Sequence, residues 1–179
     1  MTEHSFTLVP FPDSNIPEIK IAGRISRKTN FLTVHYELTG NTEDILLPSA
    51  ALHPIRKDEL WKATCFEFFL VFPNEPQYWE INMSPSGDWN AYHMDAYRRV
   101  GFREEMAIQW LQFIYQREAD CISVEAALDL NAMIREENSI QAGVTSVIQT
   151  KYGHETYWAL THPNSQADFH LRESFIIPL

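Results

Sequence analysis

Two apolar runs split by four turn-forming residues constrain this chain more than any other feature. Residues 60–72 are rich in aromatic and β-branched side chains and hold no glycine or proline. Pro73-Asn74-Glu75-Pro76 is a turn signal, and residues 77–84 form a second strand-like run. Ser84-Pro85-Ser86-Gly87 is a second turn, with residues 87–94 as a third strand. Antiparallel strands joined by short turns are the economical reading.

The alternation also fixes a register, because a slip of one residue sends every side chain to the other face. If Phe72 faces Gln77, then Phe66, Phe68 and Leu70 share a face with Trp79, Ile81 and Met83. That face is clean core. The other carries Cys65, Glu67 and Phe69 with Tyr78, Glu80, Asn82 and Ser84. Glu67 then lies opposite Asn82 and diagonal to Glu80. Pairing Met83 with Asp88 would bring Trp89 and Ala91 onto the Glu67 face.

Carboxylates inside apolar runs are costly unless paired or hydrogen-bonded. Two readings follow. In one, a sheet face presents acids, an amide and aromatic rings to a ligand. In the other, the face is a structural polar network with Arg98 as counter-ion.

The rest of the chain alternates similarly. Ile19, Ile21, Gly23 and Ile25 alternate with polar or small residues over 18–27, and Leu32, Val34, Tyr36 and Leu38 over 31–39. Lys28-Thr29-Asn30 joins these two as a hairpin. Residues 6–11 form a short first strand, and 41–58 are an irregular loop over one end of the core, with His53 at its surface. Residues 96–106 form a connection and 107–116 a strand including Trp110 and Phe113. Residues 121–130 and 140–151 are strands, and 131–139 a short helical excursion. Tyr152-Gly153-His154 is a hairpin turn, 156–161 the next strand, and 175–179 close the sheet. Many short strands without a long amphipathic helix indicate an all-β antiparallel sandwich of jelly-roll type. No repeat or linker interrupts the chain, so residues 1–179 are expected to form a single domain.

A net charge of −10 and no basic patch argue against a nucleic-acid partner. No apolar run approaches the ~20 residues of a membrane span. The first 15 residues lack a basic segment followed by an apolar one, so no secretory signal is expected and the location expected is cytoplasmic. Cys65 and Cys121, both in strands, read as reduced thiols.

No phosphate loop, dinucleotide fingerprint, nucleophile elbow or zinc-protease motif occurs. His162, Asp168 and His170 gather near the C-terminus, but at no standard metal spacing, so no metal is assigned. Glu67 and Glu80, as diagonal neighbours about 7–8 Å apart, fall within the roughly 5–9.5 Å span of glycosidase carboxyl pairs.

At LWKATCFEFFL (60–70), YWEINMSPSGDWNAY (78–92) and HPNSQADFH (162–170), the chain resembles the DOMON-like proteins related to family 9 carbohydrate-binding modules, and within them the small single-domain bacterial members. The resemblance implies a β-sandwich with a ligand site on one sheet or its rim. Relatives hold sugars between aromatic rings, or bind haem. By motif position, the implied ligand-binding residues are Trp61, Glu67, Glu80, Asn82, Trp89 and Tyr92. Arg98, His162, Asp168 and His170 form an accessory cluster. The leading expectation is a non-catalytic domain binding a sugar or other small molecule, without a cofactor. The alternatives are a haem-binding DOMON-type domain and a glycoside hydrolase using Glu67 and Glu80. His93 and Met94 are adjacent, so in a strand they face opposite ways and make a poor axial pair for haem.

Overall fold

The computed structural model describes residues 2–12, 15–98 and 101–179. Met1, Asp13, Ser14, Arg99 and Val100 lie outside the described residues, so the centre of the expected 96–106 connection is not covered. Among the described residues the strands are β1 (Thr2–Pro10), β2 (Ile19–Lys28), β3 (Phe31–Gly40), β4 (Cys65–Val71), β5 (Tyr78–Met83), β6 (Trp89–Met94), β7 (Arg103–Glu104), β8 (Gln112–Arg117), β9 (Cys121–Asp129), β10 (Gln141–Gln149), β11 (Glu155–Ala159) and β12 (Ile177–Pro178). The only helices among these residues are three short 3-10 turns, and none is long and apolar enough to cross a membrane.

Every ladder between these strands is antiparallel. One sheet runs β1-β2-β3-β9-β8, and the other runs β7-β6-β5-β4-β10-β11 with β12 also beside β10. They meet at one edge, where Val9 and Pro10 of β1 pair with Ala159 and Trp158. The result is an antiparallel β-sandwich.

Alternation explains the core between the sheets. Ile21, Ile25, Leu32, Val34, Tyr36 and Leu38 from the first sheet meet Phe66, Phe68, Leu70, Ile81 and Met83 from the second, all buried. Tyr36 also ties the sheets together. Its hydroxyl donates to the backbone carbonyl of Glu67 at 2.6 Å, and its ring packs edge-on against Phe66. A buried phenol needs such an acceptor, since leaving it unpaired is costly.

The expected register of β4 and β5 is the observed one. Glu67 pairs with Asn82, Leu70 with Trp79 and Phe66 with Met83. Three other expectations need correction. Residues 60–62 form a 3-10 turn rather than strand, so β4 begins only at Cys65. Residues 131–139 are turns, not a helix. The reason is the buried Arg27 and Asn30, whose donors take the carbonyls of Asn138 (2.6 Å), Arg135 (3.1 Å) and Ile134 (2.5 Å) that a helix would have used internally. The strand expected over 107–116 starts only at Gln112; Trp110 precedes it and is 66% exposed.

Candidate ligand-binding site

The outer face of the second sheet carries an unusual polar row. Ala159, Thr145, Glu67, Asn82 and Asn90 lie side by side across β11, β10, β4, β5 and β6. The next row holds Gly143, Phe69, Glu80, Tyr92 and Glu104. An outer face this polar would ordinarily be wet. Here Glu67 is 2% exposed and Glu80 5%, because other segments fold over it.

Three segments provide the cover. The turn at Leu60–Lys62 presents Trp61, preceded by Asp58 and Glu59. The connection after β6 presents Arg98 and Phe102. The stretch before β12 presents Ala167 to His170. Between them and the sheet lies a cavity of about 550 Å³, floored by Glu67, Phe69, Glu80, Val147, Glu155 and Tyr157. A pocket of this size suits a small ligand. Two of its lining residues, Glu59 (φ 60°) and Arg98 (φ 42°), hold left-handed backbone without being glycine. Such strain costs energy and tends to collect at binding and catalytic sites.

Glycine at 143 is required by the closing segment. A Cβ there would lie 2.4 Å from the Phe175 ring, which stacks on Phe69 at 5.3 Å. The bare backbone lets Phe175 seat and carries the segment back to the sheet.

The two floor acids are held differently. Glu80 Oε1 accepts from the Asn82 amide at 2.8 Å. Burial pushes its carboxyl up to about 7 against that hydrogen bond. Glu67 Oε2 accepts from the Thr145 hydroxyl at 3.2 Å, while Glu67 Oε1 is buried without a hydrogen-bond partner. Burial, and then the charge of Glu80, push the Glu67 carboxyl well above the usual carboxylate range, despite opposing contacts from Thr145 and the Cys65 thiol. Neutral carboxyls at the floor can donate as well as accept hydrogen bonds.

The walls are braced from behind. The Tyr92 ring stacks on Phe102 at 4.7 Å and meets Trp61 edge-on at 5.7 Å. Its hydroxyl donates to Asp58 Oδ1 at 2.6 Å. Burial, and then Asp58, hold the Tyr92 phenol well above its usual range. Asp168 accepts from Arg98 at 2.9 Å, from the Tyr97 hydroxyl and from the His170 backbone N–H at 3.0 Å. Burial alone would raise Asp168, but these three contacts hold it below the ordinary aspartate value.

Of the residues singled out from sequence, Trp61, Glu67, Glu80, Arg98, Asp168 and His170 line the cavity together. Asn82 and Tyr92 do not line it: Asn82 fixes Glu80, and Tyr92 supports the aromatic walls. Two fall elsewhere. Trp89 pairs with Met83, not Asp88 with Met83, which puts Trp89 on the core face, 3% exposed and under the Arg56 guanidinium. The turn holds one residue more than expected because Asp88 is drawn in, its backbone carbonyl accepting from Ser84 N–H at 2.9 Å and its Oδ1 from Ile55 N–H at 3.1 Å. His162 leaves the accessory cluster altogether; its Nε2 lies 3.0 Å from the Val9 carbonyl and its ring packs on Phe11. Nor is Arg98 the counter-ion of Glu67, since it pairs with Asp168. Among the described residues no three His, Cys, Asp or Glu side chains are placed to hold one metal ion.

Sequence reasoning missed Asp58, Glu59, Phe102, Glu155, Tyr157 and Phe169. Glu155 and Tyr157 had a signal, since they alternate with the buried Thr156 and Trp158 of β11. The others sit on loops, where no periodicity points inward or outward.

No protein-family model matches the chain, and no curated protein matches it in sequence. Solved structures do match. A candidate carbohydrate-binding protein from Bacteroides uniformis superposes with a TM-score of 0.73 at 12% identity, over 96% of this chain and 84% of that one. A family 9 carbohydrate-binding module from Caldicellulosiruptor kristjanssonii, in complex with cellotriose, has a TM-score of 0.56 at 12% identity, over 85% of this chain and 70% of that one. At such identities the likeness is one of fold: this chain has the β-sandwich architecture of a family 9 carbohydrate-binding module.

Proposed function

We propose that the chain is one DOMON-like ligand-binding domain whose cavity takes a carbohydrate or a similar hydroxyl-rich small molecule. The observation that carries this reading is Glu67 Oε1, a buried acceptor with no partner in a cavity walled by aromatic rings. Buried polar atoms are almost always satisfied. A ligand hydroxyl supplies the absent donor, and Trp61 and Phe102 offer apolar faces for sugar C–H groups. The fold shared with a cellotriose-binding module supports the same class of ligand.

The test is calorimetry against a panel of monosaccharides and short oligosaccharides, on the native chain and on Glu67→Gln and Trp61→Ala. A sugar should bind, and Trp61→Ala should weaken it by about tenfold. If no sugar binds and both variants merely melt early, the polar face is structural.

Hydrolysis is the second reading, favoured by a Glu80 carboxyl at about 7 beside a second raised carboxyl. A carboxyl near 7 can act as the general acid that hydrolysis needs at neutral pH. Release of reducing ends from a glycoside panel, abolished in both Glu67→Gln and Glu80→Gln, tests it. The haem alternative has no support from β6, where Met94 is buried on the outer face and His93 stacks on Trp79 on the other.

A further inference from the structure

Six carboxyl groups from separate parts of the chain line the cavity: Asp58, Glu59, Glu67, Glu80, Glu155 and Asp168. Among the described lining residues Arg98 is the only lysine or arginine. Its guanidinium is already committed to Asp168 at 2.9 Å. Glu59 is met from outside by Lys62 at 2.6 Å. Among the described residues no lysine or arginine pairs with Asp58, Glu67, Glu80 or Glu155. Asp58 and Glu155 are engaged by the hydroxyls of Tyr92 and Tyr157, which donate hydrogen bonds but bring no positive charge.

An uncharged sugar does not call for this arrangement. Amides and hydroxyls recognise hydroxyls equally well, without the cost of burying carboxyl groups that burial holds towards their neutral form. A positive charge on the ligand offsets that cost, because the floor carboxyls can ionise against it. The second observation is independent of the charge count. Glu67 Oε1 lies buried at the cavity floor with no hydrogen-bond partner. A hydroxyl has one proton to donate, whereas an ammonium has three and can serve several acceptors at once. The aromatic rings of Trp61, Phe69, Phe102 and Phe169 complete an environment favourable to a cation.

We propose that the natural ligand carries a protonated amino group among its hydroxyls, making the cavity a site for an amino sugar. This rests on the carbohydrate-binding reading above and narrows it. Asp58, Glu67, Glu80 and Glu155 set the preference, and the aromatic walls hold the ring.

The experiment compares glucose, glucosamine and N-acetylglucosamine by calorimetry, at a pH where the glucosamine amine is protonated. Glucosamine should bind about tenfold or more tighter than the other two, since acetylation removes the charge. The advantage should shrink as salt is raised. It should also fall in Glu67→Gln, and in Glu155→Gln, whose exposed position makes loss of fold no explanation. Equal binding of glucose and glucosamine would overturn the amino-sugar proposal and leave the carbohydrate reading standing. Failure of every sugar would end both. Cyclohexylamine, an amine without hydroxyls, binding as tightly as glucosamine would also overturn the proposal.

Discussion

Replacing Glu80 by glutamine should make the protein more stable at neutral pH, which is the opposite of what removing a hydrogen-bonded buried group usually does. In the unfolded chain this carboxyl ionises near 4.5; in the fold it is pushed up to about 7. Below pH 4.5 it carries a proton in both states and contributes nothing to the balance. As pH rises from 4.5 towards 7, the unfolded chain releases the proton while the fold retains it, so folding stability falls. By about pH 8 the loss amounts to about 3 kcal/mol. Glutamine does not titrate, and its amide oxygen still accepts from Asn82. Removing the Glu80 charge also removes part of what raises Glu67, which adds in the same direction. The difference in unfolding free energy between Glu80→Gln and the native chain should therefore climb by about 3 kcal/mol between about pH 4 and pH 8. Urea unfolding followed by tryptophan fluorescence at several pH values reads this directly. Taking the difference cancels groups titrating elsewhere, such as His93 and His162. A difference that stays flat with pH, or a variant less stable throughout, would refute the assignment of a strained, proton-holding acid at the floor. If the floor exists to bind, the stabilised variant should bind its ligand worse.

Trp61→Ala and Trp89→Ala should part company: the first weakens ligand binding by about 1–2 kcal/mol with little change in melting, while the second costs about 3–5 kcal/mol of stability through a core cavity, as thermal melting and calorimetry together would show. Gly143→Ala should destabilise by about 1–3 kcal/mol because the new methyl displaces Phe175. A Gly143→Ala melting temperature equal to that of the native chain would count against that packing. Tyr36→Phe removes the bond between the sheets to the Glu67 carbonyl and should cost about 1 kcal/mol, read by chemical denaturation.

Much of this was legible from side-chain period alone, and the limit of legibility has a physical boundary. Phe66, Phe68 and Leu70 facing Trp79, Ile81 and Met83 follow from alternation, which one buried face enforces. The polar row with Glu67 opposite Asn82 follows from the same register. Trp89 did not, because the length of the turn before it depends on Asp88 bonding to Ile55 and Ser84, contacts made by a loop with no pattern of its own. The turns at 131–139 escaped for a similar reason: Met133, Ile134 and neighbouring charges suit a helix locally, but Arg27 and Asn30, more than a hundred residues earlier, take the carbonyls. In the cavity, the floor was readable and the walls were not. Asp58, Phe102 and Phe169 are placed by tertiary packing, and their charge and apolar character alone would suit many surfaces.

Residues 160–176 leave β11 and return as β12, and both strands lie along the same side of β10, at Thr145–Gln149 and Gln141–Ala142 respectively. The wall containing Asp168, Phe169 and His170 is therefore a detour between two strands that share one neighbour, with both feet planted on β10. Its ends are fixed by the sheet, so closing it costs little more than the length of the loop itself. Insertions, deletions or substitutions within it would reshape the mouth of the cavity while leaving the pairing of β10 untouched. Selectivity can then diversify between descendants of such a chain by trading this one segment, without renegotiating the sandwich beneath it.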